Sequence, residues 1–308
     1  MCKITISAYE LMKRFPDSET ARLYLEKRRW NGKPVCQKCG CFEKQYKQKK
    51  NGKEGYILCN HCKLVYTVRT GTIFERSHVP LDKWLYAIYL VVTSRKGISS
   101  LQLSKEIGVT QKTAWFMLQR IREVCEDENG NDFLEGIVEA DEAYFGGKEH
   151  IKYASKKINA GGGAVGKIAV LGMRERGGNF KGVILNDITA ESIQAKLNSS
   201  IAHNATLCSD EHRAYINNRF KHLVVNHSAK QFVDGMAHTN GIESVWALLK
   251  RGFYGIYHSF SRKHLQRYVN EFAYRLNEGN CRIHTLDRID SLLSKAFNKQ
   301  ISYEALIH

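Results

Sequence analysis

Three acids and one lysine between positions 141 and 250 of this 308-residue chain sit where the demands of folding alone would not put them. Asp141 lies mid-way along the alternating run LEGIVEADEAYFGG (134–147), in phase with Ile137 and Glu139. Asp210 ends the short run ATLCSD (205–210). Glu243 and Lys250 share HTNGIESVWALLKRG (238–252), which reads as a helix with Ile242, Val245, Leu248 and Leu249 as its apolar stripe. Seven residues is nearly two turns, so Glu243 and Lys250 face the same way, yet ~10 Å apart along the axis, too far for a simple ion pair. If the strands of Asp141 and Asp210 are neighbours, their carboxylates stand side by side, and the helix can bring Glu243 to them. Clustered carboxylates repel unless cations bind. Oxygen donors of this kind select Mg²⁺ or Mn²⁺, and two such ions clamp the attacking and leaving oxygens of a phosphoryl displacement. On this reading Asp141, Asp210 and Glu243 hold metal, while Lys250, with Arg251 beside it, grips a phosphate of the strand being cut. Glu139, Glu142 and Glu211 are near enough to replace a ligand if the register is off by one. Taken singly, each acid would read as a solvated or capping carboxylate.

A second donor set lies near the N-terminus. Cys36 and Cys39, then Cys59 and Cys62, form C-x2-C-x19-C-x2-C. Two intervening residues let both thiolates of a pair turn onto one metal, and two pairs complete a tetrahedral four-thiolate zinc site. Such a site is closed and therefore structural. Cys41 and His61 stand close by as spare donors.

Between these sets, SSLQLSKEIGVTQKTAWFMLQRIR (99–122) fits two helices about a tight turn at Gly108-Val109, with Thr110 capping the second. This is a helix-turn-helix pattern. Gln111, Lys112 and Thr113 would open the second helix towards base edges, and Arg120 and Arg122 would lie nearer phosphates.

The elements that must position these residues follow from the periodicities. Residues 1–30 read as charged helix, 31–74 as the zinc ribbon with the basic stretch KQYKQKKNGKEG, and 75–128 as the helix-turn-helix region, ending in a linker at 126–132. Residues 132–280 form a β-β-β-α-β-α-β-α run, in which KIAVLGM and FKGVILN make a hairpin, ITAESIQAKLNSSI and EHRAYINNRF are helices, and 156–167 is a Gly-rich loop. Residues 281–308 read as a helical tail. The fold class expected is thus multidomain α+β, with a mixed α/β C-terminal domain.

Composition narrows the partners. Forty-seven Lys and Arg against 31 Asp and Glu leave a net charge of +16, which favours a polyanion, nucleic acid before membrane. The N-terminus has no apolar signal region, and WLYAIYLVV (84–92) is too short to span a bilayer, so a cytoplasmic, nucleoid-associated protein with reduced thiols is expected.

The motifs RRWNGKPVCQKCG, CNHCKLVYTVRTGTIFERSHVPLDKW, GVTQKTAWFMLQRIR, VEADEAYFGG, SDEHRAY and HTNGIESVWALLKRGFYGIYHSFSRKHLQRYVNEFAYRLN together resemble those of insertion-sequence DDE transposases. The group is IS-fifteen-ninety-five, with a catalytic domain called ISXO-two-like, and the resemblance runs from about residue 20 to 278. It implies an RNase H-like fold with a D-D-E-K set carried by Asp141, Asp210, Glu243 and Lys250. It further implies Mg²⁺-dependent cleavage at terminal inverted repeats and strand transfer by the freed 3′-OH. Double-stranded DNA, both transposon ends and target, is then the partner, met by a homo-oligomer. The rivals are a non-catalytic DNA-binding derivative and a plain endonuclease or ribonuclease H.

Overall fold

The computed structural model describes residues 5–126, 133–146, 166–216, 219–225, 238–278 and 282–307. The linker expected at 126–132 and the Gly-rich loop at 156–167 therefore lie almost wholly outside the described residues. The chain divides into two compact units, one of residues 1–125 with 279–308, the other of residues 126–278.

The first unit opens with helices α1 (Ala8–Arg14) and α2 (Ser18–Trp30), each begun by a side-chain cap, Ser7 to the Glu10 amide and Asp17 to the Thr20 amide. A three-stranded antiparallel sheet follows: β1 (Gln45–Lys50), β2 (Lys53–Cys59) and β3 (Val65–Tyr66). Asn51 and Gly52 join β1 to β2 with φ of 51° and 75°, the left-handed pair that a two-residue hairpin turn needs. Helix α3 (Leu81–Thr93) is the centre of the unit, with Trp84, Leu85, Ile88 and Val91 buried. Helices α4 (Ser100–Ile107) and α5 (Gln111–Val124) pack on it and on each other. Gly108, at φ 62°, stops α4, and the Thr110 hydroxyl accepts from the Thr113 amide to start α5.

The C-terminal segment belongs to the same unit. Helix α9 (Thr285–Ala296) packs on α2, α3 and α5, and buries Ile289, Leu292, Leu293 and Ala296. Arg288 is itself buried and donates to the Val92 carbonyl at 2.9 Å, satisfying the end of α3. The short α10 (Tyr303–Ile307) sets Tyr303 against Phe116 of α5. What reads in the sequence as a tail is a wall of the first unit's core.

The second unit is a five-stranded mixed sheet built from β4 (Ile137–Phe145), β5 (Ile168–Glu175), β6 (Phe180–Ile184), β7 (Thr206–Asp210) and β8 (Lys221–Val225), in the order β6-β5-β4-β7-β8. The β4-β5-β6 pairs are antiparallel, and β4-β7 and β7-β8 are parallel. Alternation along β4 sorts its side chains. Val138 and Ala140 join Ile193 and Leu197 of α6 (Ala190–Ser200) on one face. Ala143 and Phe145 join Ile242, Val245, Trp246 and Leu249 of α7 (Asn240–Gly252), with Leu265, Val269 and Phe272 of α8 (Arg262–Asn277), on the other. Where a helix is expected over 211–220, the described residues show a 3-10 turn, Arg213–Tyr215. Gln194 of α6 donates to the Ile216 carbonyl at 2.9 Å and more loosely to that of Ala214, engaging groups that helical bonding would use.

Truncating Leu293, fully buried in α9, removes core from the first unit alone. Leu293→Ala is expected to cost that unit roughly 2–5 kcal/mol. Denaturant unfolding followed by hydrogen exchange should show the loss across α2, α3 and α5, with the sheet of the second unit unchanged.

Candidate functional sites

The carboxylates come first. Parallel pairing of β4 with β7 runs Ile137 to Thr206, Val138 to Leu207 and Glu139 to Cys208. Continued two residues, the same register puts Asp210 level with Asp141. Both residues have the parity that points to the α7 face, and both are half-buried. The ladder pairing ends before they are reached, so the strands are free to part there, at the carboxyl ends of parallel strands where α/β sheets bind ligands. Glu243 is exposed on the first turn of α7 and accepts from the Thr239 hydroxyl at 3.1 Å. Burial pushes the Asp141 carboxyl above its usual range, and the charges of Asp210 and Glu243 push it further. The Trp246 indole opposes this, donating to Asp141 Oδ2 at 3.0 Å. Asp141 thus feels the charge of both other acids.

Trp246 reaches Asp141 because Gly172 faces Asp141 across β5. A Cβ there would come within 2.5 Å of the Trp246 ring. Phe145 and Phe180 meet the same indole edge-on, so its direction is fixed by packing. Lys250 and Arg251 are both exposed in the last turn of α7.

The three alternative acids part company here. Glu139 is 1 % exposed and fully engaged: it accepts from Arg176 Nε at 2.9 Å and from the Ile242 amide at 2.9 Å. Glu142 points to the opposite face, towards Tyr215, and burial raises its carboxyl too. Glu211 follows β7 and is exposed.

The cysteines form the one close-set group of three or more metal-binding donors among the described residues, their sulfurs all within 4.8 Å of one another. Cys36 and Cys62 are 3.5 Å apart, Cys39 and Cys59 3.6 Å. Four thiolates at ~2.3 Å from a central zinc would be about 3.8 Å apart, so the set fits that ion. The two knuckles repeat one backbone pattern: Gly40 and Lys63, both left-handed, donate to the carbonyls of Cys36 and Cys59, whose own amides donate to Cys41 and Leu64. The Cys62 amide holds the Cys59 thiol down to about 6, towards the thiolate a metal takes. Neither Cys41 nor His61 joins the group.

Gln111 and Lys112 are exposed and Thr113 is half-exposed at the start of α5. Arg120 and Arg122 are not available to phosphates, contrary to their sequence reading. Arg120, 5 % exposed, stacks on Phe116 and donates to the Ile73 and Glu75 carbonyls; Arg122 is 1 % exposed. Helical periodicity turns both inward with Met117 and Ile121. The basic stretch KQYKQKKNGKEG noted in the sequence folds as the β1-β2 hairpin, which the sequence reading gave no role. Residues 31–65 hold eight lysines against two acids. Cross-strand pairs Tyr46–Leu58 and Gln48–Tyr56 share one outward face of β1 and β2, where Tyr46 is 56 % exposed, and the Lys50–Lys53 pair closes the hairpin beyond a break in the register. The alternation of Tyr46, Gln48 and Lys50 was the available signal.

A folded carboxylic acid with a raised pKa binds more protons than its unfolded counterpart, so stability falls as pH rises from the ordinary carboxylate range through the raised value. Asp141→Asn removes that fall while keeping an oxygen for Trp246. In metal-free protein the variant is expected to be the more stable at neutral pH, with the advantage shrinking as pH drops towards the ordinary Asp value. Thermal unfolding of both proteins in chelator across pH measures this; a variant less stable at neutral pH would contradict it.

Comparison with known proteins fits these sites. The ISXO2-like transposase domain family matches residues 133–277, and the transposase zinc-ribbon domain family matches residues 16–65. A Halobacterium salinarum protein described as an uncharacterized protein in transposable element ISH50 is 31 % identical over 231 residues, covering 71 % of this chain and 77 % of its own. Among solved structures, a pre-cleavage Mos1 transpososome aligns over 96 % of this chain and 97 % of that one, at 12 % identity and a TM-score of 0.27. The Mos1 strand transfer complex aligns over 62 % and 75 %, at 13 % identity and a TM-score of 0.21. Both scores are too low to bear on the fold. No described helix is long and apolar enough to cross a membrane. Zinc-ribbon knuckles ahead of an acid-bearing mixed sheet, matched along most of the chain by sequence, mark this protein as a member of the ISXO2-like insertion-sequence DDE transposases.

Proposed function

We propose that this transposase cuts and rejoins DNA at an acidic centre of Asp141, Asp210 and Glu243 on an RNase H-like sheet, with Lys250 as its phosphate grip. The observation that carries the proposal is the level placement of Asp141 and Asp210 on adjacent parallel strands, with the Glu243 charge felt at Asp141. Three carboxylates suit two Mg²⁺ or Mn²⁺ ions, which when bound supply Lewis-acid activation of the attacking and leaving oxygens. The chain's own residues orient the rest. Trp246 fixes one oxygen of Asp141. Lys250, ~10 Å along the helix from Glu243, is beyond direct ligation and holds a neighbouring phosphate as a point charge. Water attacks phosphorus at the transposon boundary and the 3′ oxygen leaves; that 3′-OH then attacks a target phosphodiester, so bonds broken and formed balance at each step.

The first unit binds the ends of the element, with α4 and α5 as a helix-turn-helix. Gln111, Lys112 and Thr113 meet base edges. The β1-β2 hairpin adds a second contact, since a two-stranded ribbon fits the major groove and its lysines suit phosphates. A homo-oligomer brings two ends together.

Cleavage and joining of a labelled transposon-end duplex, titrated with Mg²⁺, tests this. Asp210→Asn is expected to lower cleavage by roughly 10²–10³-fold or more, the range for losing one preorganised charge-stabilising group, with end binding intact. Lys250→Ala should slow cutting without moving the metal dependence. Lys112→Ala should narrow the preference for end over random DNA, while Lys50→Ala with Lys53→Ala should weaken both alike and flatten the salt dependence. Robust cutting by Asp210→Asn would overturn the acidic centre, and cut but never joined products would leave a nuclease.

A further inference from the structure

Helix α7 begins without a cap of its own. Thr239 stands at the N-cap position, but its side chain makes no capping bond and donates instead to Glu243. The first amides of a helix need an acceptor, and their partial positive charge favours an anion. Glu139 of β4 supplies both. Its Oε2 accepts from the Ile242 amide at 2.9 Å, and its Oε1 from Arg176 Nε at 2.9 Å. Arg176 in turn donates to the His238 carbonyl at 2.9 Å, just ahead of the helix. Arg174, paired with Glu139 across β5, donates to the Gly241 carbonyl at 2.6 Å and to the Ser244 hydroxyl at 2.8 Å. Gly241 has no side chain for a matching reason: a Cβ would stand 2.6 Å from Glu139 Oε2.

We infer that Glu139 is a positioning residue for the acidic centre, a remote cap that seats the helix of Glu243 on the strand of Asp141. The inference rests on the reading of those acids as the reacting centre. The connections are short. Glu139 and Asp141 lie on one face of β4, ~7 Å apart. The amide that Glu139 binds belongs to the residue immediately before Glu243. Rotation or sliding of α7 at this end moves Glu243 against Asp141, and the Trp246–Asp141 bond one turn on restrains the helix but not its first turn. Charge matters as well as shape, because a buried carboxylate bonded to Arg176 holds its place only while both partners remain.

Two readouts test this, and the first needs neither metal nor DNA. In metal-free protein, Glu139→Ala is expected to speed hydrogen exchange at the Ile242–Ser244 amides by about tenfold or more, the scale of a lost charge-assisted bond, while the β4-β5 amides stay protected. Gly241→Ala should do likewise from the other side. In Glu139→Ala protein, however, Gly241→Ala should add little, since the space it needs has been vacated. The second readout is cleavage: both single variants should raise the Mg²⁺ needed for half-maximal rate, with Glu139→Gln, which keeps an acceptor oxygen, recovering part of the loss. Additive exchange effects in the double variant, or a general loss of protection with none confined to the start of α7, would overturn the inference. Should Asp210→Asn cut normally, the reading of the acidic centre fails while the exchange result still decides the cap.

Discussion

Parallel pairing between β4 and β7 is the constraint on which the sheet unit depends. A parallel ladder fixes which residues stand level, and a slip of one would turn every side chain of a strand to the wrong face. Here it aligns Asp141 with Asp210 and then ends two residues short of them. The backbone thus brings two like charges together where solvent and cations can reach them. Everything else on that face serves the approach of α7: glycine at 172 flattens the sheet, Trp246 lies across the space, and the indole N–H meets the carboxylate below. Burial above all, with the charges of Asp210 and Glu243 adding to it, raises the Asp141 carboxyl, a cost borne in stability.

The two units solve the problem of small cores differently. The ribbon of residues 31–65 is lysine-rich and apolar-poor, and its order comes from four sulfurs and two matching knuckles. The sheet unit needs no such staple. Its strands alternate cleanly between two buried faces, each covered by helices.

Local patterns were legible in the sequence to the extent that one residue's neighbours decide its place. The cysteine spacing, the Thr110 cap of α5, the hairpin of β5 and β6 and the strand position of Asp141 all follow from short-range rules. Residues whose role depends on distant chain were not legible. Arg120 and Arg122 look like phosphate ligands until the carbonyls of Ile73 and Glu75 are seen to claim the first. Trp246 was not singled out in its helix, and its use as a donor to Asp141 depends on a glycine on another strand. Glu139 read as a possible ligand from its phase with Asp141; only tertiary structure shows that a helix amide and an arginine occupy it. The segment 211–220 has helical composition, and Gln194 competes for its carbonyls.

Placing α9 and α10 with α1 to α5 makes the sheet unit an insertion within the chain of the first unit. During synthesis, the amino-terminal helices and ribbon emerge first but cannot close their core until residues 282–307 have left the ribosome. The apolar faces of α3 that await α9 stay uncovered while some 150 residues of intervening chain are made. A message broken within the sheet unit therefore yields a first unit that lacks α9 and the part of the core it closes. The order of the first unit is tied to synthesis of both segments that compose it.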